Sequence, residues 1–168
     1  METRLISRRA LIRGGLAVGA ALGVAATVRL PPVASGYTTF SWREIEILGA
    51  IADAMFPAGP VLISGRDAGV VEEVDRIIGT GFPPMHAMGF RYLLRTLEWG
   101  TVATFGTSFS RLSVEDARAV LDSWGDPGLL PRRIASDVLR TVFGMAYFAN
   151  REVQRAMEWR SLCGSGAA

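Results

Sequence analysis

The apolar positions between Phe40 and Met157 recur mostly at intervals of three and four residues, which is the period of an α-helix that packs on one side. Each periodic stretch is bounded by Pro, Gly, Ser, Asn or Asp, and no run of alternating apolar and polar residues is long enough to indicate a sheet. The pattern predicts an all-α fold, a single compact helical domain of about five to six helices.

The first helix of this domain has clear boundary signals. Ser41 is a good N-cap and Glu44 stands three residues on, so the two can form a capping box. Phe40 and Ile45 are spaced as a hydrophobic staple, and Pro57 ends the helix. The residues predicted to face inward are Ile45, Leu48, Ile51, Ala52 and Met55.

The second helix is predicted to begin at an Asp67 cap and to terminate at Gly79 and Gly81. Its inner side is predicted to hold Val70, Val71, Val74, Ile77 and Ile78. We interpret the acidic residues of this segment as its solvated face, namely Glu72, Glu73 and Asp75.

A third, longer helix begins at Pro83 and Pro84 and runs to about Trp99, since proline is favoured in a first helical turn. Its predicted inner residues are Met88, Tyr92, Leu93 and Leu97, with Phe105 as a further apolar position beyond its end. The following segment, 101–110, is rich in Gly, Thr, Ser and Phe, and both a loop and a brief strand remain open for it.

Three more helices complete the domain. Ser113 with Asp116 forms a cap-like start, Pro131 begins a long helix that runs to about Ala149, and Asn150 can cap a last short helix. The inner positions of the first are Val114, Ala117, Val120, Leu121 and Trp124, those of the long helix Ile134, Val138, Leu139, Val142, Phe143, Ala146 and Tyr147, and those of the last Val153, Ala156 and Met157.

The N-terminal residues resemble a twin-arginine export signal. Arg8 and Arg9 are followed by apolar residues and a further arginine, and then by an apolar run over 14–28. As a helix this run would reach about 22 Å, short of the roughly 30 Å hydrocarbon core, so it is a poor permanent span. A core helix with a chance arginine pair is the alternative. Twin-arginine export carries folded chains, which suggests a passenger and a location in the periplasm or on the extracytoplasmic face of the membrane.

The predicted domain boundaries follow from these signals. Residues 1–36 form the signal and a linker, 37–162 the helical domain, and 163–168 a frayed tail. Ala34, Ser35 and Gly36 form a loose cleavage candidate, and an uncleaved leader that tethers the chain to the membrane stays open.

The charge balance excludes a nucleic-acid partner for the domain. Five of the eighteen basic residues precede Pro31, which leaves thirteen basic and fifteen acidic residues in the remainder. A nearly neutral body has no electrostatic footprint for a phosphate backbone.

Candidate chemistry is sparse. Cys163 and His86 are the only cysteine and histidine, so CxxC zinc or haem sites and repeated carboxylate–histidine metal motifs do not occur. Glycine-rich phosphate-binding motifs are also missing. The sequence therefore predicts no catalytic, cofactor-binding or metal site in this chain, with an enzyme that uses His86 as a less favoured alternative.

Several residues are instead candidates for a partner interface. Arg132 and Arg133 follow Pro131 at a helix start, where positive charge is unfavourable, so they are expected to meet an acid elsewhere in the domain or on a partner. Residue types enriched at interfaces also lie near the predicted loops. The candidate interface comprises Phe82, Pro83, His86, Trp99, Arg132 and Arg133.

Longer motifs resemble the gluconate 2-dehydrogenase subunit 3 family. The first helix reads LGAIADAMFP over 48–57, followed by DAGVVEEVD over 67–75, and both are similar to family segments. FSRLSVEDARAVL over 109–121 resembles a third segment. DSW over 122–124 and AYFANREV over 146–153 are also similar to the helical N-terminal region of long-chain alcohol oxidases. This family usually ends with Gly-Tyr after the last helix, whereas this chain has Glu158 and Trp159 there.

The resemblance implies a small subunit without catalytic residues of its own. It implies a large partner of the glucose–methanol–choline (GMC) oxidoreductase superfamily that holds FAD and oxidises an alcohol or sugar hydroxyl. The leader on the small chain would then export both through the twin-arginine machinery. A cytochrome c subunit is a further candidate partner. A helical protein tethered by its leader, without a redox partner, is the alternative.

Overall fold

The computed structural model of the protein describes residues 30–125 and 130–157. The chain divides into two compact units, 1–32 and 33–168, and the fold described below belongs to the second unit. The export signal at Arg8 and Arg9 and the cysteine Cys163 lie outside the described residues.

The described residues form helices joined by short connections, and no strand occurs among them, which confirms the all-α prediction. The helices are α1 (Trp42–Met55), α2 (Val70–Gly81), α3 (Pro84–Gly100), α4 (Val102–Phe105), α5 (Val114–Trp124), α6 (Leu130–Ala149) and α7 (Arg151–Ala156), with a 3₁₀ turn (Phe109–Arg111) before α5. None of the helices within the described ranges is both long and apolar enough to cross a bilayer.

Helix α1 is the centre of the domain. It packs against α2, α3, α5 and the 3₁₀ turn, and its apolar side chains Ile47, Leu48 and Ile51 are completely buried. The predicted capping box is confirmed, because the Glu44 carboxylate accepts hydrogen bonds from the Ser41 N–H (2.8 Å) and hydroxyl (2.7 Å). Because several sides of α1 are buried, the elements packed around this helix share a single core.

Helix α2 ends at Gly81 as predicted, but it differs from its prediction at its start and in the role of Gly79. Its N-cap is Gly69, with a positive φ of 70°, while the Asp67 carboxylate accepts a hydrogen bond from the Ser64 hydroxyl in the preceding turn. Asp67 therefore does not cap α2. Gly79 does not end the helix either. A Cβ at Gly79 would lie 2.4 Å from Thr38 Oγ1, so a side chain there would block the approach of the N-terminal segment.

Asp75 is buried and does not belong to a solvated face, which corrects the sequence interpretation. Its carboxylate accepts hydrogen bonds from the backbone N–H groups of Thr38 (2.7 Å), Thr39 (2.9 Å) and Phe40 (3.3 Å). Ala34 in the same segment is buried, and its N–H donates to the Phe40 carbonyl at 2.9 Å. We call residues 34–40 the entry segment; Asp75 fixes it to α2.

Helix α3 begins at Pro84, as predicted, but a different side faces the core. Phe90, Leu94 and Leu97 are buried, whereas Met88 is exposed and Tyr92 only partly covered. The prediction for Met88 and Tyr92 is therefore wrong. The segment after α3, left open between loop and strand, forms α4 and the 3₁₀ turn, which Phe109 anchors in the core.

The last three helices confirm the predicted starts and correct several inner positions. The Ser113 hydroxyl accepts the Asp116 N–H at 3.1 Å, and the Asn150 side chain accepts the Glu152 N–H at 2.7 Å. In α6 the buried residues are Ser136, Leu139, Val142, Phe143, Ala146 and Tyr147. Four residues predicted to face inward are instead exposed, namely Val114, Ile134, Val138 and Met157.

Candidate interaction surface

The charged residues of α3 are directed towards α1. The Glu44 carboxylate is fully buried, and it pairs with the guanidinium groups of Arg91 (2.9 Å) and Arg95 (3.4 Å). Burial raises the pKa of Glu44, but the hydrogen bonds from Arg91 and Ser41 outweigh it and hold the pKa below its ordinary value of 4.5. Both arginines of α3 therefore form ion pairs across the contact with α1.

Glu98, the third ion of α3, is also buried. It accepts hydrogen bonds from Arg43 (2.6 Å) and from the backbone N–H of Ser110 (2.9 Å), so it ties α3 to α1 and to the 3₁₀ turn. Arg91, Arg95 and Glu98 are engaged in this way, and α3 contains no other Arg, Lys, Asp or Glu.

The opposite side of α3 is an exposed face of apolar and aromatic residues. Met85 is 75% exposed and Trp99 67% exposed, with Met88 also exposed between them. Together with the half-buried Tyr92 these positions recur three, four and seven residues apart, so they share one side of the helix. We call this surface the α3 face.

The loop before α3 and the first turn of this helix are also exposed. Phe82, Pro83 and His86 are all exposed, and they precede or begin the helix whose outer side carries Met85. The structure therefore places four of the predicted interface residues, Phe82, Pro83, His86 and Trp99, in or beside one helix and on the surface.

Helix α6 carries a second exposed apolar surface, which we call the α6 stripe. Its residues Leu130, Ile134, Val138, Met145 and Phe148 are all exposed, Leu130 to 70% and Ile134 to 54%. With Thr141 they step along the helix by four, four, three, four and three residues, a spacing that keeps them on one side. Because other residues of α6 fill the core, this twenty-residue helix is apolar on two sides.

A groove of about 330 Å³ opens beside the first half of the α6 stripe. Leu93 and Leu97 of α3, with Phe105 of α4, form one wall. Trp124 of α5 and Pro131 and Ala135 of α6 belong to the other. A site of this size, lined mainly by apolar side chains, can hold a large side chain of a partner protein.

Arg132 and Arg133 lie exposed at the start of α6, and Arg132 lines the groove. In the ranges that the structure describes, neither arginine forms an ion pair with an acid, although Arg43, Arg66, Arg76 and Arg140 each do. The expectation that an acid of this domain answers them is therefore not met by any described residue.

A smaller cavity of about 260 Å³ lies on the other side of Trp124. It is lined by α1, α5 and α6 and has a more polar wall, with Arg118, Asp122 and Arg140. Arg140 pairs with Asp122 at 3.4 Å, so the charges at this cavity are partly satisfied within the domain. Trp124 borders both cavities.

The described part of the chain holds no group of three or more His, Cys, Asp or Glu side chains that could bind a metal ion. The three buried acids are each saturated by hydrogen-bond donors: Glu44, Asp75 and Glu98. His86 is exposed, and its imidazole has no hydrogen-bond partner among the described residues.

The exposed stripe on α6 is the part of the surface that sequence reasoning missed. The sequence shows the spacing of the stripe but predicts Ile134 and Val138 as core residues. A periodic pattern shows which residues share a side of a helix, and it does not show what that side contacts. In the sequence, only the unfavourable positive charges of Arg132 and Arg133 at a helix start indicate an interaction at this end of α6.

Comparison with known proteins identifies the family. The family model described as gluconate 2-dehydrogenase subunit 3 matches residues 43–162, which is most of the chain. No curated protein and no solved structure matches the chain significantly. The matched range contains all the motifs that suggested the resemblance, and it covers α1 to α7. The chain belongs to the gluconate 2-dehydrogenase subunit 3 family, whose description makes it a subunit of a dehydrogenase complex.

Proposed function

We propose that this protein is a small, non-catalytic subunit that folds with, stabilises and exports a large FAD-dependent dehydrogenase of the GMC superfamily. The observation that carries the proposal is the pair of uncovered helix sides, the α3 face and the α6 stripe. Contiguous exposed apolar surface is rare on proteins that work alone and marks sites of protein contact. Membership of a family of dehydrogenase subunits supports the same conclusion.

The arrangement of charge on α3 adds support. Its ions are used to fix the helix to α1 and the 3₁₀ turn, so its outer side combines a rigid backbone with apolar and aromatic side chains. Aromatic residues and methionine are enriched in the buried centres of interfaces, where charged groups are depleted. The α3 face has this composition.

The redox chemistry of the complex would reside in the large subunit. There FAD would accept the electrons released when an alcohol or sugar hydroxyl is oxidised. This chain would contribute contact surface and no reacting group. A cytochrome c subunit that receives the electrons onward is a further candidate member of the complex.

Export is the second part of the proposal. The arginine pair at Arg8 and Arg9 would direct the folded complex through the twin-arginine route to the periplasm, so that the large subunit crosses as the passenger of this chain. The small subunit would thereby link completion of folding and FAD loading to translocation.

The test is co-purification of the complex from the periplasm. The full chain with a C-terminal affinity tag is expressed in its native host, so that its natural large subunit is present. We expect the tag to retrieve that subunit with a flavin absorption spectrum. Retrieval of the small chain alone, with the dehydrogenase active elsewhere in the cell, would contradict the proposal.

A paired substitution in the leader tests export separately from binding. Arg8→Lys with Arg9→Lys keeps both charges but removes the guanidinium groups. We expect the two subunits to stay together and to accumulate in the cytoplasm. If the large subunit still reaches the periplasm with this variant, the export part is wrong while the binding part stands. Carbonate extraction of membranes then shows whether the leader remains as a tether.

A further inference from the structure

We infer that the α6 stripe and the adjoining groove receive an amphipathic helix of the large dehydrogenase subunit, and that an acidic residue of this helix pairs with Arg132 and Arg133. The inference rests on the proposed function, because the occupant is the large subunit. It goes further in naming the docking site, the secondary structure of the segment that fills it and the charge of that segment.

The spacing of the stripe indicates a helical partner. From Ile134 to Phe148 the stripe positions alternate steps of four and three residues, with Thr141 as the one hydroxyl residue between Val138 and Met145. This is the spacing by which one helix packs side by side against another. The stripe covers the length of α6, so a partner helix of about five turns would be needed to cover it.

The groove provides the anchor for such a helix. Pro131 and Ala135 line the groove, and each directly follows a stripe residue, Leu130 or Ile134, in α6. The groove and the stripe are therefore adjacent on the surface of this helix. A volume of about 330 Å³ accommodates an aromatic or a large aliphatic side chain. Anchors of this kind, buried in a pocket near the centre of a contact, contribute most of the binding energy at interfaces.

The charged residues beside the groove predict a negative charge on the partner segment. Arg132 lines the groove and Arg133 follows it in the chain, and neither has an ionic partner among the described residues. The nearest paired cation along α6 is Arg140, which Asp122 already neutralises. Two guanidinium groups that no described acid neutralises, beside an apolar surface, favour a carboxylate on the segment that covers it.

The first experiment is site-specific photocrosslinking in the intact complex. The full chain carries a photoreactive phenylalanine at position 134 and, as the matched control, at position 61, where Val61 is even more exposed, in a loop of the same domain. We expect position 134 to crosslink the large subunit and position 61 to leave it free. A product formed by two copies of this chain at position 134, or no crosslink there while the complex is intact, would overturn the inference.

The second experiment reverses the charges. Arg132→Glu with Arg133→Glu should weaken the affinity for the large subunit at least about tenfold, and the wild-type affinity should fall more steeply with salt than that of the variant. The matched control is Arg151→Glu with Arg155→Glu. These exposed arginines of α7 also lack a described acidic partner, and they follow the end of α6 that is farther from the groove.

The outcomes separate the two proposals. If the wild-type chain retrieves no dehydrogenase, the proposed function fails and this inference fails with it. If the complex forms and both double variants bind equally well, only the docking site is wrong. Thermal unfolding of each variant in isolation shows whether the fold survives. Arg132→Gln with Arg133→Gln, which removes the charge without introducing repulsion, should give a smaller loss in the same direction and serves when the reversed variant does not fold.

Discussion

Glu44 links the start of α1 to the packing of α1 against α3. Its carboxylate accepts the Ser41 N–H at 2.8 Å, completing the cap, and pairs with Arg91 at 2.9 Å across the helix contact. A fully buried carboxylate is tolerated only when it is saturated by donors in this way. A neutral side chain in place of Glu44 would leave Arg91 and Arg95 at this helix contact without their anionic partner.

We predict that Glu44→Gln lowers the free energy of unfolding by about 3 kcal/mol at pH 7, because it leaves partly buried cations without their partner. Urea unfolding followed by circular dichroism measures the change. Glu46→Gln, on the exposed side of α1, is the control and should change stability by less than about 0.5 kcal/mol.

The lowered pKa of Glu44 also predicts a direction with pH. Between its folded pKa and its ordinary value of 4.5 the unfolded chain binds more protons than the folded one. The contribution of Glu44 to stability is therefore complete above about pH 4.5 and is lost as the pH falls through the folded pKa. Wild type should lose stability faster than Glu44→Gln on acidification below this value; parallel curves would contradict the assignment.

At this scale the sequence predicts local pairs and misses distant ones. The Ser41 to Glu44 spacing indicates the cap because both partners lie within one turn. Arg91 lies 47 residues from Glu44, and Asp75 lies 35 or more residues from the N–H groups that it binds. Only the packing of whole helices brings these groups together, so an acid such as Asp75 reads as solvated until the fold is known.

Among the elements, the entry segment has a consequence for processing. Asp75 holds the backbone of Thr38 and Thr39, and Ala34 is buried, so the predicted cleavage candidate at 34–36 is part of the folded domain. A protease needs an extended, accessible chain at its cleavage site. Removal of the leader from the folded protein is therefore expected before Val33.

We predict that Asp75→Ala makes the entry segment sensitive to proteolysis, whereas wild type resists. Limited digestion of the purified full chain, with the new N-termini mapped by mass spectrometry, tests this. Asp67→Ala serves as the control, since its carboxylate contacts only the neighbouring Ser64 turn. Finding the N-terminus of the exported wild-type chain at residue 35, 36 or 37 would show that the segment opens in the native protein.

The two apolar sides of α6 give a matched pair of substitutions. Leu139→Ala should cost about 3 kcal/mol because it leaves a cavity in the core, and Ile134→Ala should change the isolated chain by less than about 0.5 kcal/mol. Binding to the large subunit should be weakened by Ile134→Ala. Equal destabilisation by both substitutions in the isolated chain would mean that the α6 stripe is covered within this domain.

Helix existence was predictable here, and helix orientation was not. Ser113, Pro84 and Asn150 mark starts through local chemistry that the sequence carries openly. α6 presents apolar residues on two sides, and α3 carries methionine and tyrosine opposite its buried Phe90 and Leu94. Periodicity cannot rank two apolar sides of one helix, because the choice is made by the volume that neighbouring helices leave free.

For the whole molecule, stability should depend on the partner. A ligand that binds only the folded state adds RT ln(1 + [L]/Kd), about 2.7 kcal/mol when its free concentration is one hundred times Kd. We expect the isolated chain to bind a hydrophobic dye, to stay folded in dilute solution but to aggregate as its concentration rises, and to gain melting temperature when the large subunit is added. A soluble, dye-free monomer whose melting temperature is unaffected by the large subunit would contradict this.

The position of Trp124 between the two cavities gives the molecule a natural optical reporter. Its indole borders the groove on one side and the Arg140 cavity on the other, so filling the groove displaces water from an intrinsic fluorophore. With the other tryptophans replaced by phenylalanine, emission from Trp124 should shift towards the blue as the large subunit is titrated in. Assembly could then be timed without attaching any label, and in a matched variant that keeps only Trp99 an earlier change would assign first contact to α3 instead.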